Sequence, residues 1–142
     1  MPETDPILFE LQRLRADVDE LVRGEFSYNA AGTYTPTLTN VANIAASTAY
    51  ACQYIRVGNV VTVSGQVDID PTAAATYTEL DISLPIASAF TATNQLGGVG
   101  TDYVVPCGIA ADTANDRASL FFASSADVTN HSFWFTFTYQ IL

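Results

Sequence analysis

Few residues in this 142-residue chain are equipped for chemistry, and their spacing suits it poorly. The single histidine, His131, has no Ser or Cys at a spacing that suggests a catalytic pair, so a structural or surface role is expected. Cys52 and Cys107 lie far apart and form no CxxC; with one histidine they exclude a zinc cluster, and two buried free thiols are expected. Asp68 and Asp70 alternate along one segment, with Asp81 farther on. Paired carboxylates can serve glycoside hydrolysis, or calcium with help from carbonyls, but before Pro71 at a strand end a solvated pair is expected. Asp112–Asp116 lacks the alternating ligands and distal glutamate of an EF-hand and reads as a turn. Gly97–Gly100 precedes no helix, so it cradles no phosphate; a flexible break is expected there. Tyr28, Tyr34, Tyr50, Tyr54, Tyr77, Tyr103 and Trp134 could stack on sugar rings, although aromatics of a β-domain more often serve its core. We expect no catalytic residue, no cofactor and no metal.

The elements that must carry these residues divide near Gly24. Residues 1–25 hold seven acids and three arginines; the rest of the chain holds eight acids and two arginines. Residues 6–23 read as a helix, with Asp5 as N-cap, Pro6 as first helical residue and Gly24 as stop. Ile7, Leu11, Leu14, Val18 and Leu21 are spaced 4, 3, 4, 3, the a/d seam of a coiled coil. Leu8 and Val22 widen that stripe, which suits three or more helices. Glu10 and Arg15 fall at g and the following e, an interchain pair, and Arg13–Asp17, Arg15–Asp19 and Asp19–Arg23 are i,i+4 pairs. A helix this short is marginal alone. The seam is therefore expected to bundle copies of the chain, against the alternative of an amphipathic helix packed on its own domain.

Residues 26–142 read as an antiparallel β-sandwich head, jelly-roll-like, of about eight short strands. Thr33–Thr39 is expected as an edge strand because of Pro36, and Leu80–Ile86 as a short strand ending at Pro85. Ala49–Val57 and Val60–Asp70 flank the hairpin turn Gly58-Asn59. In Val60–Asp70, Val61, Val63, Gly65, Val67 and Ile69 share one face. Val104–Ala110 and Ala118–Ala123 are two further strands. In Ser132–Leu142, Phe133, Phe135, Phe137, Tyr139 and Ile141 line one face, as expected of a core strand.

Composition narrows the partners. Charged residues make up only 14%, all five basic residues are arginine, and the net charge is −10. Such a field repels polyanions, so neither nucleic acid nor an anionic membrane is an expected partner. No apolar run approaches the roughly 18 residues of a membrane span, and the start of the chain lacks the basic segment of a signal peptide.

Three segments carry a resemblance: Gly32–Asn40, Tyr54–Gly65 and Leu84–Ser88, together with the ending Thr136–Gln140. Together they resemble a β-domain recurrent in structural proteins of tailed bacteriophages, of the tail-fibre-like or decoration type. The likeness spans residues 32–142 and carries no catalytic motif. It implies a trimeric virion protein: a short fibre or knob on the tail, assembled in the host cytoplasm, bound to other virion proteins and touching a host-surface glycan. The alternatives are a decoration protein that cements the capsid lattice, and a carbohydrate-binding module. A short heptad stem before a β-head fits the first layout.

Overall fold

A computed structural model describes the backbone over residues 5–25 and 29–142, and the side chains over residues 5–19 and 29–142. The helix α1 (Pro6–Glu25) begins as expected: the Asp5 carboxylate accepts the Ile7 N–H at 2.9 Å and its carbonyl accepts the Phe9 N–H at 3.1 Å. It continues one residue past Gly24. Every described side chain of α1 is exposed. The alternative of a helix buried on its own head is thus excluded for residues 5–19.

Ten strands follow: β1 (Asn29–Tyr34), β2 (Leu38–Ala42), β3 (Ile44–Ala49), β4 (Cys52–Val57), β5 (Val60–Pro71), β6 (Tyr77–Ile82), β7 (Leu96–Thr101), β8 (Pro106–Asp112), β9 (Arg117–Ala123) and β10 (His131–Gln140). All pair antiparallel in one sheet of order β1-β4-β5-β10-β7-β8-β9-β6-β2, with β3 also on β5. The chain is mainly β, with one short N-terminal helix.

The long strands obey their alternation. Along β5, Val61, Val63, Val67 and Ile69 are fully buried, and along β10 Phe133, Phe135, Phe137 and Tyr139 are buried while Trp134, Thr136, Thr138 and Gln140 face out. These two strands pair over ten positions, from His131 opposite Ile69 to Gln140 opposite Val60. Each large apolar side chain buried here contributes about 1.5–3 kcal/mol, so this pair is the centre of the core. Gly58-Asn59 makes the expected turn, with Gly58 at φ 60°.

The sheet curls because one strand changes partner. β2 pairs with β6, and β3 pairs with β5 at the far side of the sheet; only Asn43 separates them. Each pairing has a register irregularity next to this corner, at Asn40/Ala42 and at Ile44/Ala46. Bulges of this kind bend a strand and let it pass between sheet faces. Asn43 takes the turn at φ 56°, a conformation Asn tolerates better than most residues.

Three strand expectations are corrected. Gly97–Gly100 is not a break but the body of β7, hydrogen-bonded between β10 and β8. Its glycines are steric: a Cβ on Gly98 would lie 2.3 Å from the Thr136 carbonyl oxygen, and one on Gly100 2.8 Å from Cys107 Sγ. The close approach of the β10 backbone and of the Cys107 sulfur therefore needs glycine at these two positions. Thr33–Thr39 is the end of β1 and the start of β2, interrupted at 35–37 around Pro36, where the ring removes the backbone donor a strand needs. The strand expected at Leu80–Ile86 runs earlier, at Tyr77–Ile82; Ser83 leaves it to exchange hydrogen bonds with Thr37.

Candidate functional site

The β7–β8 connection, residues 102–105, is a tightly built tip. Asp102 Oδ1 accepts the N–H groups of Val104, at 2.9 Å, and Val105. The Asp102 N–H donates to the Val105 carbonyl at 3.2 Å, and the Tyr103 N–H to Thr101 Oγ1 at 3.0 Å. The other Asp102 oxygen lies 2.7 Å from His131 Nδ1, and His131 Nε2 lies 2.9 Å from the Asp127 carbonyl. His131 thus ties the tip to the loop before β10, the structural role expected of it. Burial pushes the Asp102 carboxyl up, but the N–H groups of Val105 and Val104 and the His131 ring outweigh it and hold it below the usual carboxylate range.

This scaffold holds Tyr103 at φ 78°, a left-handed conformation that costs a bulky residue about 1–3 kcal/mol. The side chains so presented are 83% exposed at Tyr103 and 81% at Val104. The Tyr103 ring stands 4.7 Å from that of Trp134, tilted by 53°, and Trp134 sits opposite Thr101 in the sheet. Exposed Val99, opposite Thr136, extends the patch. Tyr103 and Trp134 thus form one paired aromatic surface beside Thr101, whose hydroxyl accepts the Tyr103 N–H, and Thr136, whose hydroxyl donates to the Val63 carbonyl. Trp134 and Tyr103 are among the aromatics that could stack, against the commoner core role; Val104 carries no signal of its own, although Asp102 two positions earlier is the residue type that builds such a turn.

The other aromatics make contacts elsewhere, although Tyr50 and Tyr77 are exposed as well. Tyr34 and Tyr54 are half-buried edge to face, 6.1 Å apart, and Tyr34 donates to the Ser83 carbonyl. The Tyr50 hydroxyl donates to Asp68, and that of Tyr77 to Glu79. Tyr28 lies outside the described residues.

The carboxylates divide differently from the expectation. Asp68 is not solvated: it is buried and accepts hydrogen bonds from Tyr50 and Ser132 at 2.7 Å, Gln66 at 3.2 Å and Asn130 at 3.3 Å. Burial raises its affinity for a proton, yet these four donors hold its carboxyl below the usual range. Asp70 is half-buried, with Oδ1 buried and without a partner. Asp81 lies apart, buried in a groove of about 680 Å³ shared with Glu79, Asp112, Arg117 and Tyr77. Its carboxylate accepts the Ser119 hydroxyl at 2.6 Å and lies 4.0 Å from Arg117. In the Asp112–Asp116 turn, Asp112 accepts the Ala114 N–H at 2.9 Å, which is turn chemistry, while Asp116 reaches away from the turn and accepts the N–H groups of Ser88, at 2.8 Å, and Phe90, at 3.3 Å. Among the described residues no group of three or more His, Cys, Asp or Glu could hold a metal ion. Cys52 and Cys107 are buried free thiols; burial, helped by the Asp102 charge, pushes Cys107 up to about 12.

The helical seam is presented to solvent. Ile7, Leu11, Leu14 and Val18 are between 47% and 71% exposed, and Leu8 and Phe9 are exposed beside them. The Leu21 side chain lies outside the described residues. Among the described residues no helix is long and apolar enough to cross a membrane. Compared with protein-family models, curated proteins and solved structures, the chain has no match.

Proposed function

We propose that this chain is a structural protein of a bacteriophage virion: a homotrimeric short fibre or knob associated with the tail. In this reading α1 is a parallel coiled-coil stem bundled through Ile7, Leu11, Leu14, Val18 and Leu21. The curled sheet is the knob, flattened in the manner of a jelly-roll sandwich. The tip at Tyr103, Val104 and Trp134 is its contact with a host-surface glycan. The observation that carries the reading is the seam. Four large apolar side chains of one helical stripe stand in solvent while the head closes a core of its own. An amphipathic helix gains most of its stability from covering that stripe, and identical helices cover it symmetrically. The virion setting rests on the resemblance of the strand segments.

The test is quantitative mass spectrometry of purified virions carrying the native chain or Leu14→Asp, with light scattering on each purified protein. The expected results are a copy number in threes that matches the tail symmetry, a trimeric mass for the native chain, and a monomeric Leu14→Asp that is missing from the particle. A copy number that follows the capsid lattice would overturn the tail assignment. A trimeric Leu14→Asp would overturn the stem.

A further inference from the structure

We propose that the outer face of β1, β4 and β5 beside the stem exit, centred on Ile55, Val57 and Val60, is where the three heads pack against one another. The proposal rests on the trimeric stem and adds a second interface to it. Its first support is tether length. Residues 26–28 join Glu25 to Asn29, four steps that reach at most about 14 Å when fully extended. Helices of a bundle stand about 8–10 Å apart, so their last Cα atoms lie within about 8 Å of the common axis. Asn29 is then held within about 22 Å of that axis, while a head of this size has a radius of gyration near 13 Å. Three heads tethered so closely are held at a high local concentration, with the side carrying Asn29 turned to the common axis.

The register says which side chains stand there. Asn29 pairs with Val57, and Val57 with Val60; in the next row Ala31 pairs with Ile55. Ile55, Val57 and Val60 are 52%, 60% and 44% exposed, and a shallow groove runs beside them along β1 and β4. Charge selects the same face. No Asp or Glu occurs between residues 29 and 67; the acids of β5, Asp68 and Asp70, stand at its far end, eight and ten residues from Val60, and the opposite flank carries Glu79, Asp81 and Asp112. Copies with a net charge of −10 repel one another least where an exposed apolar patch is free of acids, as it is around Ile55, Val57 and Val60. β1 is also the terminal strand of the sheet, with a backbone edge that a neighbouring head would shield.

The test uses the full chain with Thr33→Cys carrying a nitroxide label. Thr33 is exposed at the far end of β1 from the tether, and the two native thiols are buried. Light scattering gives the mass, and pulsed electron–electron resonance gives the distances between labels. A trimer with one narrow label–label distance is the expected result. A second variant, Val57→Asp, should raise the concentration at which the trimer dissociates at least ~tenfold, as loss of a buried interface contact does. A trimeric mass with a broad spread of distances, or an unchanged dissociation in Val57→Asp, overturns the head interface and leaves the stem standing. A monomeric native chain overturns both.

Discussion

Gly98 and Gly97 are neighbours in one strand, and the sequence does not distinguish them. In the sheet they differ sharply, because a Cβ on Gly98 would stand 2.5 Å from that of Phe137, while one on Gly97 meets nothing within 4 Å. Gly98→Ala should cost about 2–3 kcal/mol through overpacking. Gly97→Ala should be neutral or gain up to about 1 kcal/mol by restricting the unfolded chain. Denaturant midpoints of the two variants check this. At the same scale, burial, then the charges of Asp112 and Glu79 and a hydrogen bond with Asp112, push the Asp81 carboxyl above its usual range despite the Ser119 bond. Asp112 is held below its own range by Asn115 and the Ala114 N–H, against the push of burial. Of the two carboxyls, Asp81 is the one that keeps its proton to higher pH. As the pH rises past the ordinary carboxylate value, the unfolded chain releases the Asp81 proton while the folded chain keeps it. The Asp81 contribution to stability therefore falls as pH rises through its raised value. Asp81→Asn removes the titrating carboxyl, so its melting temperature should fall less than that of the native chain between pH 4.5 and 7.5. An equal fall in both would refute the raised Asp81 carboxyl.

Among the elements, the join between β2 and β3 matters most, since it brings the two flanks of the sheet together. Asn43 does more than adopt a left-handed turn. Its side-chain amide donates to the Ala73 carbonyl at 3.0 Å and to Thr78 Oγ1 at 2.8 Å, and its Oδ1 accepts the Ala73 N–H at 2.8 Å. Its own carbonyl accepts the Thr72 N–H at 3.0 Å. Asn43→Ala loses the side-chain bonds and strains the turn, and should cost about 2–3 kcal/mol in chemical denaturation. Asn43→Gly relieves the backbone alone and should fall between Ala and the native residue. The elements most legible in the sequence were those with long alternation: β5, β10 and the Gly58-Asn59 hairpin. β3 was not, because Ile44–Ala49 is small and mostly exposed, and carries no stripe. β7 was not, because Gly98 and Gly100 answer to the close approach of β10, which lies far along the chain.

Over the whole molecule, the helix and the head have separate energetics. The buried core consists wholly of residues from Cys52 onward, while the described apolar side chains of α1 stay in solvent. Leu14→Asp should therefore lower the mass without changing the head: its near-ultraviolet circular dichroism should match that of the native chain. A variant that lost the native signal would show that the head depends on assembly. The low charge content leaves little repulsion within one head, but three copies bring three times −10 together. Assembly should accordingly tighten as salt screens that charge.

The sequence by itself determined the local matters: where the helix starts, the spacing of the apolar residues along it, and the alternation of β5 and β10. These follow from periodicity and from single-residue backbone preferences, which act over a few neighbours. The resemblance and the heptad pattern also suggested the trimeric knob, which awaits its test. Only the tertiary structure decided that the ten strands join in one curled sheet, that Asp68 is buried among four donors, and that Asp102 and His131 brace the tip presenting Tyr103. Each of these depends on residues far apart in the chain meeting across strands. Hydrogen-bond satisfaction and close packing decide such meetings, and neither leaves a periodic mark on the sequence.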